Sequence, residues 1–315
     1  MIDKYEFFVS NLALRQRLIS DIIQKLYPQK PGKGMLRIFI ITTVLFCSIS
    51  SNSQAADLSK LEKKYKSAVV MDLSTGKFLY THNENEQIIP ASLVKMMVAL
   101  IAIEQILMRQ INLEDTITVT AAASRIGGHQ VYLKQGEVFT LEELLKAIVI
   151  SSANDAAYAV AEYIGDGDVS AFVKLMNKRA KELRLHNTTF ANPHGLPPNR
   201  RKGQKENYST AKDLARLGKY LIRYPMILEW SSTRLDWFRD GTFQLLNTNH
   251  RFLQQVKGAN GLKTGYHPRG AGFCVVATAY RDGKKLLTVV TGAKNSRDRL
   301  NASKQLIELA FKEEL

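Results

Sequence analysis

The chain has 315 residues, 45% apolar and 23% charged, enough for one large domain or two small ones with a sizeable core. Its net charge of +15 asks for an anionic partner, either nucleic acid or an envelope polymer or membrane surface. It has only two cysteines, Cys47 and Cys274, and no Gly-x-Gly-x-x-Gly or Walker loop, so neither a disulfide framework nor nucleotide binding is supported.

The N-terminal segment separates the two kinds of partner. Residues 35–56 read MLRIFIITTVLFCSISSNSQAA, with Arg37 as a basic start and Ile38 to Ile49 as an apolar run. Small residues around Ser53 to Ala56 suit cleavage after Ala55 or Ala56. The run is shorter than the roughly 20 residues of a spanning helix, so export with cleavage is expected. An uncleaved anchor is the alternative. Residues 1–34 are long and polar for a leader, which makes Met35 an alternative start. The reading is a leader over residues 1–55 and one domain over 56–315. The leader carries seven Lys/Arg and three Asp/Glu, so the remainder keeps +11. An exported basic protein, in the periplasm or on the outer face of the cytoplasmic membrane, meets an anionic envelope surface and no nucleic acid. Bulky Phe46 before Cys47 argues against lipid attachment, and Cys274 in GFCVVATAY reads as a buried core residue.

From residue 67 the pattern is strand, helices, strand. SAVVMDLSTGKFLYTH (67–82) is a hairpin signal with its turn at Ser74–Gly76. SLVKMMVALIAIEQILMRQ (92–110) is apolar nearly all round, which predicts a central buried helix. Helical periodicity continues in TLEELLKAIVI, NDAAYAVAEYI and VSAFVKLMNKRAKEL, and STAKDLARLGKYLIR adds a capped amphipathic run. GAGFCVVATAY and KLLTVVTGA flank Arg281-Asp282-Gly283 as a second hairpin, and RLNASKQLIELAF closes the chain as a helix. The expectation is α+β: one antiparallel sheet from the first and last thirds, flanked by helices, and a mostly helical subdomain between. The site belongs in the cleft between them.

Three short motifs carry the chemistry. Ser92 and Lys95 are three apart at the front of the apolar run, and a helix starting at Ser92 puts its hydroxyl at the positive helix end. Lys95 is then roughly 60° round and about 4.5 Å along the axis. Near another cation and away from water, its amine is a base. Alone, the pair reads first as a cap serine with a solvated lysine, the common case. Such a pair arises on the order of once in a chain this long, and Ser74-Thr-Gly-Lys77 also fits. Ser152-Ala-Asn154 lies sixty residues after Ser92, and Lys263-Thr264-Gly265, which alone could be a turn, stands directly before a hairpin. The order of the three is that of penicillin-recognising serine enzymes.

From about residue 60 to 315 the chain resembles the D-alanyl-D-alanine carboxypeptidases among the small penicillin-binding proteins. The resemblance runs through VVMDLSTGKFLY, PASLVKMM, VYLKQGEVFTLEELLKAIVISSANDAA, FANPHGLP, LKTGY and the final helix. It implies the transpeptidase fold shared with β-lactamases. It also implies removal of the terminal D-alanine from peptidoglycan stem peptides and covalent inhibition by β-lactams. Ser92 is then the acyl-ester nucleophile, Lys95 its proton acceptor and Ser152 the relay to the leaving amine. The backbone N–H groups of Ser92 and Tyr266 would bind the oxyanion. Asn154 would hold the substrate backbone or orient Lys95. Lys263 would keep the site electropositive, depress the pKa of Lys95 and attract the substrate carboxylate, Thr264 would hydrogen-bond that carboxylate, and Gly265 is counted with them as substrate-binding. Arg299 resembles a family arginine that helps with the carboxylate, and a surface charge is its other reading. Many relatives carry a further β-rich domain and a membrane helix, and neither is expected after FKEEL.

Three alternatives remain. A D,D-endopeptidase cutting cross-links would use the same residues. A class A β-lactamase needs a Glu-x-x-Leu-Asn pattern, which is absent between Asn154 and Lys263. A non-catalytic wall-binding or penicillin sensor would not need every catalytic position filled. No cofactor and no metal is implied: His82, His129, His186, His194, His250 and His267 lack ligand spacing, although His194 and His267 could line the cleft.

Overall fold

A computed structural model describes residues 58–268 and 270–315, and the chain divides into units 1–59 and 60–315. The predicted leader lies outside the described residues. The second unit is built on a five-stranded antiparallel sheet of β1 (Ser67–Asp72), β2 (Phe78–His82), β7 (Ala259–His267), β8 (Gly272–Arg281) and β9 (Lys284–Ala293). Its order is β2-β1-β9-β8-β7, so the first and last thirds of the chain share one sheet, as the hairpin signals predict. The β1–β2 turn forms because the Asp72 carboxylate accepts from the amides of Ser74 and Thr75, both at 2.9 Å. In β9 the consecutive residues Leu286, Leu287, Thr288, Val289 and Val290 are all buried, so both faces of the sheet are covered.

The helices do the covering. Between β2 and β7 come α1 (Lys95–Leu107), α2 (Leu141–Lys146), α3 (Asn154–Ile164), α4 (Val169–Glu182), α5 (Ala211–Leu221), α6 (Pro225–Ser232) and α7 (His250–Gln255). The chain closes with α8 (Ser296–Phe311). The helical starts are local chemistry: a capping box of Thr140 and Glu143 on α2, Asp168 on α4, Thr210 on α5, and proline in the first turn of α6. Residues 95–103 of α1 are all buried, as an apolar surface on every side requires. Leu100→Ala would therefore cost about 2–5 kcal/mol through lost burial and the cavity left behind. Gly218 of α5 faces the side chains of Leu287, Val276 and Leu262, and a Cβ there would come within 2.7 Å of Leu287, so the α5 backbone packs directly onto those side chains at this point.

Two small sheets escape the sequence pattern: β3 (Thr116–Thr118) with β4 (Val138–Thr140), and the hairpin of β5 (Leu235–Phe238) and β6 (Phe243–Leu246). Three- and four-residue strands are too short for periodicity to register. Cys274 is buried as expected, donates to the Ala271 carbonyl at 3.3 Å, and has its thiol pushed up to about 11, chiefly by burial. Among the described residues no helix is long and apolar enough to cross a membrane.

Candidate active site

Ser92 does not start the α-helix. It lies in a 3-10 turn, Ala91–Val94, and the α-helix proper begins at Lys95. The expected helix cap is corrected on this point: Pro90 stands at the cap position and makes no side-chain capping bond. Two glycines clamp the turn. A Cβ on Gly195 (φ +81) would collide with the Ala91 carbonyl, and one on Gly265 would stand 2.9 Å from the Pro90 carbonyl oxygen. Ala91 itself is left-handed, φ +49. Strand β7 and the 192–196 loop thus press the serine turn between them.

Lys95 is 1% exposed, so the solvated reading is also corrected. Its Nζ lies 3.0 Å from Ser92 Oγ, 2.6 Å from Asn154 Oδ1 and 2.7 Å from the His194 carbonyl. The Asn154 Nδ2 donates to the Gly127 carbonyl at 2.8 Å, which fixes its Oδ1 toward the lysine. Burial, and then the Lys263 charge, hold the Lys95 amine well below its ordinary range, while Asp155 opposes them. A neutral amine has two hydrogens and one lone pair. Asn154 Oδ1 and the His194 carbonyl only accept, so they take the two hydrogens. The lone pair is left facing the one neighbour with a proton to give, the Ser92 hydroxyl.

Ser152 and Asn154 are presented by an interrupted helix. After α2 the chain makes a π turn, Ala147–Ser151, and Ser152 is left-handed with φ +70 and ψ 29. A new helix starts at Asn154, whose amide donates to the His129 carbonyl at 2.7 Å. The periodicity of TLEELLKAIVI runs straight through this bulge, because a π turn changes backbone register and not residue type. Ser152 is 4% exposed, and among the described residues its hydroxyl has no hydrogen-bond partner.

Lys263, Thr264 and Gly265 lie within β7, paired with Val276, Val275 and Cys274 of β8, so the segment is a strand and not a turn. Lys263 is 3% exposed and is pushed down to about 7 by burial and then by Arg299. Lys95 and Lys263 line one small cavity with Met96, Ile148 and Leu262. The Thr264 hydroxyl donates to that of Thr248 at 2.7 Å. Tyr266 is exposed, its ring 4.2 Å from that of Phe273.

Arg299, in the first turn of α8, has its guanidinium over the Phe273 ring at 5.9 Å. Burial holds it down to about 10. It lines a cavity of about 210 Å³ with Thr248, Asn249, His250, Arg251 and Phe252. Arg299 is half-buried rather than fully exposed, and its charge helps lower the Lys263 pKa. Among the described residues no salt bridge ties Lys95, Lys263 or Arg299 to a carboxylate. Lys263 and Arg299, two cations without a salt-bridge partner among the described residues, suit an anionic ligand.

Three contributors lie outside the motifs. The His194 carbonyl holds Lys95, while the His194 ring is pushed down to about 3 by burial and then by Lys95, so it stays neutral. The Gly127 carbonyl orients Asn154. Asp155, fully buried, accepts from the amides of Val131 at 3.2 Å and Leu133 at 3.0 Å, and so ties down the loop that carries Gly127. Asp155 had a signal in sequence, an acid opening an alanine-rich helix. Backbone carbonyls have none.

A serine turn against a buried amine, in a cleft between an antiparallel sheet and a helical lobe, is the architecture of penicillin-binding proteins. Penicillin-binding protein D2 from Listeria monocytogenes, solved in an ampicillin-bound form, superposes with a TM-score of 0.71 at 30% identity, over 79% of this chain and 97% of that one. The chain belongs to the D-alanyl-D-alanine carboxypeptidase family, peptidase S11, which residues 52–295 match. The D-alanyl-D-alanine carboxypeptidase DacF of Bacillus subtilis is 39% identical over 80% of this chain and 64% of its own length. The D-alanyl-D-alanine endopeptidase of Escherichia coli is 30% identical over 78% of this chain and 77% of its own. The chain thus spans a little under two thirds of DacF.

Proposed function

We propose that the protein is an exported serine D,D-carboxypeptidase that removes the C-terminal D-alanine from peptidoglycan stem peptides and is acylated by β-lactams. The observation that carries this is the buried Lys95 amine, 3.0 Å from Ser92 Oγ, held by two acceptors, Asn154 Oδ1 and the His194 carbonyl, and pushed down by burial and then by Lys263. Ser92 attacks the carbonyl of the penultimate D-alanine, and its proton passes to Lys95. The backbone N–H groups of Ser92 and Tyr266 bind the oxyanion. The proton then goes through Ser152 to the departing amine as the C–N bond breaks, leaving an acyl-enzyme that water hydrolyses. Lys263, Thr264 and Arg299 receive the terminal carboxylate, and Asn154 orients both Lys95 and the acyl chain. The leader directs the enzyme to the periplasm or the outer face of the cytoplasmic membrane, where its basic surface meets an anionic envelope and where trimming bears on cell shape.

Fluorescent penicillin should label wild type and leave Ser92→Ala unlabelled. An unlabelled wild type would make this a non-catalytic binding module. Similarity to a D-alanyl-D-alanine endopeptidase, 30% identical over 78% of this chain, makes cross-link cleavage the second reading. Relative rates on a pentapeptide and on a cross-linked dimer decide between them.

A further inference from the structure

Tyr132 has no part in the chemistry above, yet its backbone is held from several sides. It is left-handed, φ +56, a conformation that bulky residues rarely adopt. Buried Asp155 accepts from the amides on either side of it, Val131 and Leu133. Arg239 donates to the carbonyls of Val131 and Tyr132, is tied to Glu137 at 2.7 Å, and lies against the rings of Phe139 and Phe238. What this frame delivers is an aromatic ring in solvent: Tyr132 is 65% exposed and meets Phe243 edge-on at 6.2 Å. A costly backbone conformation fixed by several neighbours, with its side chain left free, points to a ligand.

The loop that carries that ring is tied to Asn154. It starts from Gly127 and His129, whose carbonyls hold Asn154. Phe243, its only ring contact among the described residues, belongs to the β5–β6 hairpin. That hairpin runs on to Thr248, the partner of Thr264. Tyr132 therefore joins the Asn154 side of the cleft to the Thr264 side, while the cations that suit the carboxylate gather at Lys263 and Arg299.

We propose that the Tyr132 ring is the wall of an acyl-side subsite. It takes a flat or long apolar side chain on the acyl group that precedes the attacked carbonyl: the residue before D-Ala-D-Ala in a stem peptide, or the aryl-acyl group of a penicillin. This rests on the peptidase reading and deepens it by naming what the acyl pocket selects.

The test is the ratio of acylation rate constants for benzylpenicillin, which carries an aryl-acyl group, and 6-aminopenicillanic acid, which has none, read as adduct mass on the full chain. Tyr132→Gly suits the left-handed backbone and deletes the ring, and Tyr132→Asn does the same with a residue that tolerates the conformation. Both should lower the ratio about tenfold, the size of a well-placed aromatic contact, with Tyr132→Phe keeping it. A ratio unchanged in the Gly and Asn variants overturns the subsite, whether or not both rates fall together. A wild type that forms no adduct with either compound overturns the peptidase reading and the subsite with it.

Discussion

Along β7 the functional residues Lys263, Thr264 and Gly265 are fixed by an unbroken antiparallel ladder to β8. Across the cleft, Ser92 follows a left-handed alanine, Ser152 is itself left-handed, and Lys95 is held by one amide side chain and one carbonyl from a distant loop. The sheet wall is rigid through repetition: each residue is placed by the same hydrogen-bond pattern as its neighbours. The helical wall is rigid through particular contacts, each with a single substitute-intolerant partner. On the proposed mechanism the first presents binding groups and the second presents the groups that move protons, where small displacements matter most.

The largest effect expected on this contrast comes from the base. Lys95→Met keeps the volume and removes the amine, and penicillin acylation should fall about 10³–10⁴-fold, the upper range for a general base. Adduct mass against time measures it, and acylation within tenfold of wild type would mean that another group takes the Ser92 proton. Next is the contact between the walls. Gly265→Ala puts a Cβ against the Pro90 carbonyl and should displace the serine turn, lowering acylation on the order of 10²-fold while the ladder keeps the thermal midpoint close to wild type. Equal loss of stability and rate would show that the two walls are not independent.

A pH profile sharpens the comparison further. On the proposed mechanism the base works deprotonated, so acylation should rise with pH through the Lys95 pKa. Lys263 works protonated, so its titration sets the alkaline fall. Arg299→Gln removes a cation that holds Lys263 down at about 7, so the alkaline limb should move to higher pH while the acid limb stays. An acid limb that moves instead would contradict the assignment. In folding stability, the His194 ring has its pKa lowered from 6.5 to about 3. Its contribution is fully present above about pH 6.5 and is lost as pH falls toward 3, because the unfolded chain binds the extra proton. Chemical denaturation of His194→Asn across that window should show a flatter acid slope than wild type. The smallest effect belongs to Ala91→Gly, which relaxes a left-handed residue and should raise stability by about 1 kcal/mol or less, with a correspondingly small rise in the melting temperature.

Much of the fold was legible because it depends on patterns local to each segment. Turn residues at Ser74–Gly76 and at Asp282-Gly283 mark both hairpins, and all-round apolar sequence marks α1 as buried. The residue types of the site were legible for the same reason, as three short motifs in order. What escaped was either too short for periodicity, like β3 to β6, or a change of backbone register at unchanged residue type, like the π turn before Ser152. The cap expected at Ser92 failed because Gly195 and Gly265, far off in the chain, press on the turn and leave the α-helix to begin at Lys95.

By itself the sequence determined which groups are available: a hydroxyl, two lysines, an amide and an arginine, on segments with strong helix or strand preference. Only the tertiary structure decided their protonation and direction. The Lys95 pKa falls because folding strips it of water and sets Lys263 nearby, and its amine is directed by two acceptors from residues 154 and 194. Desolvation and the field of a neighbouring charge depend on distances across the folded chain, and those distances are not encoded in any one stretch of it.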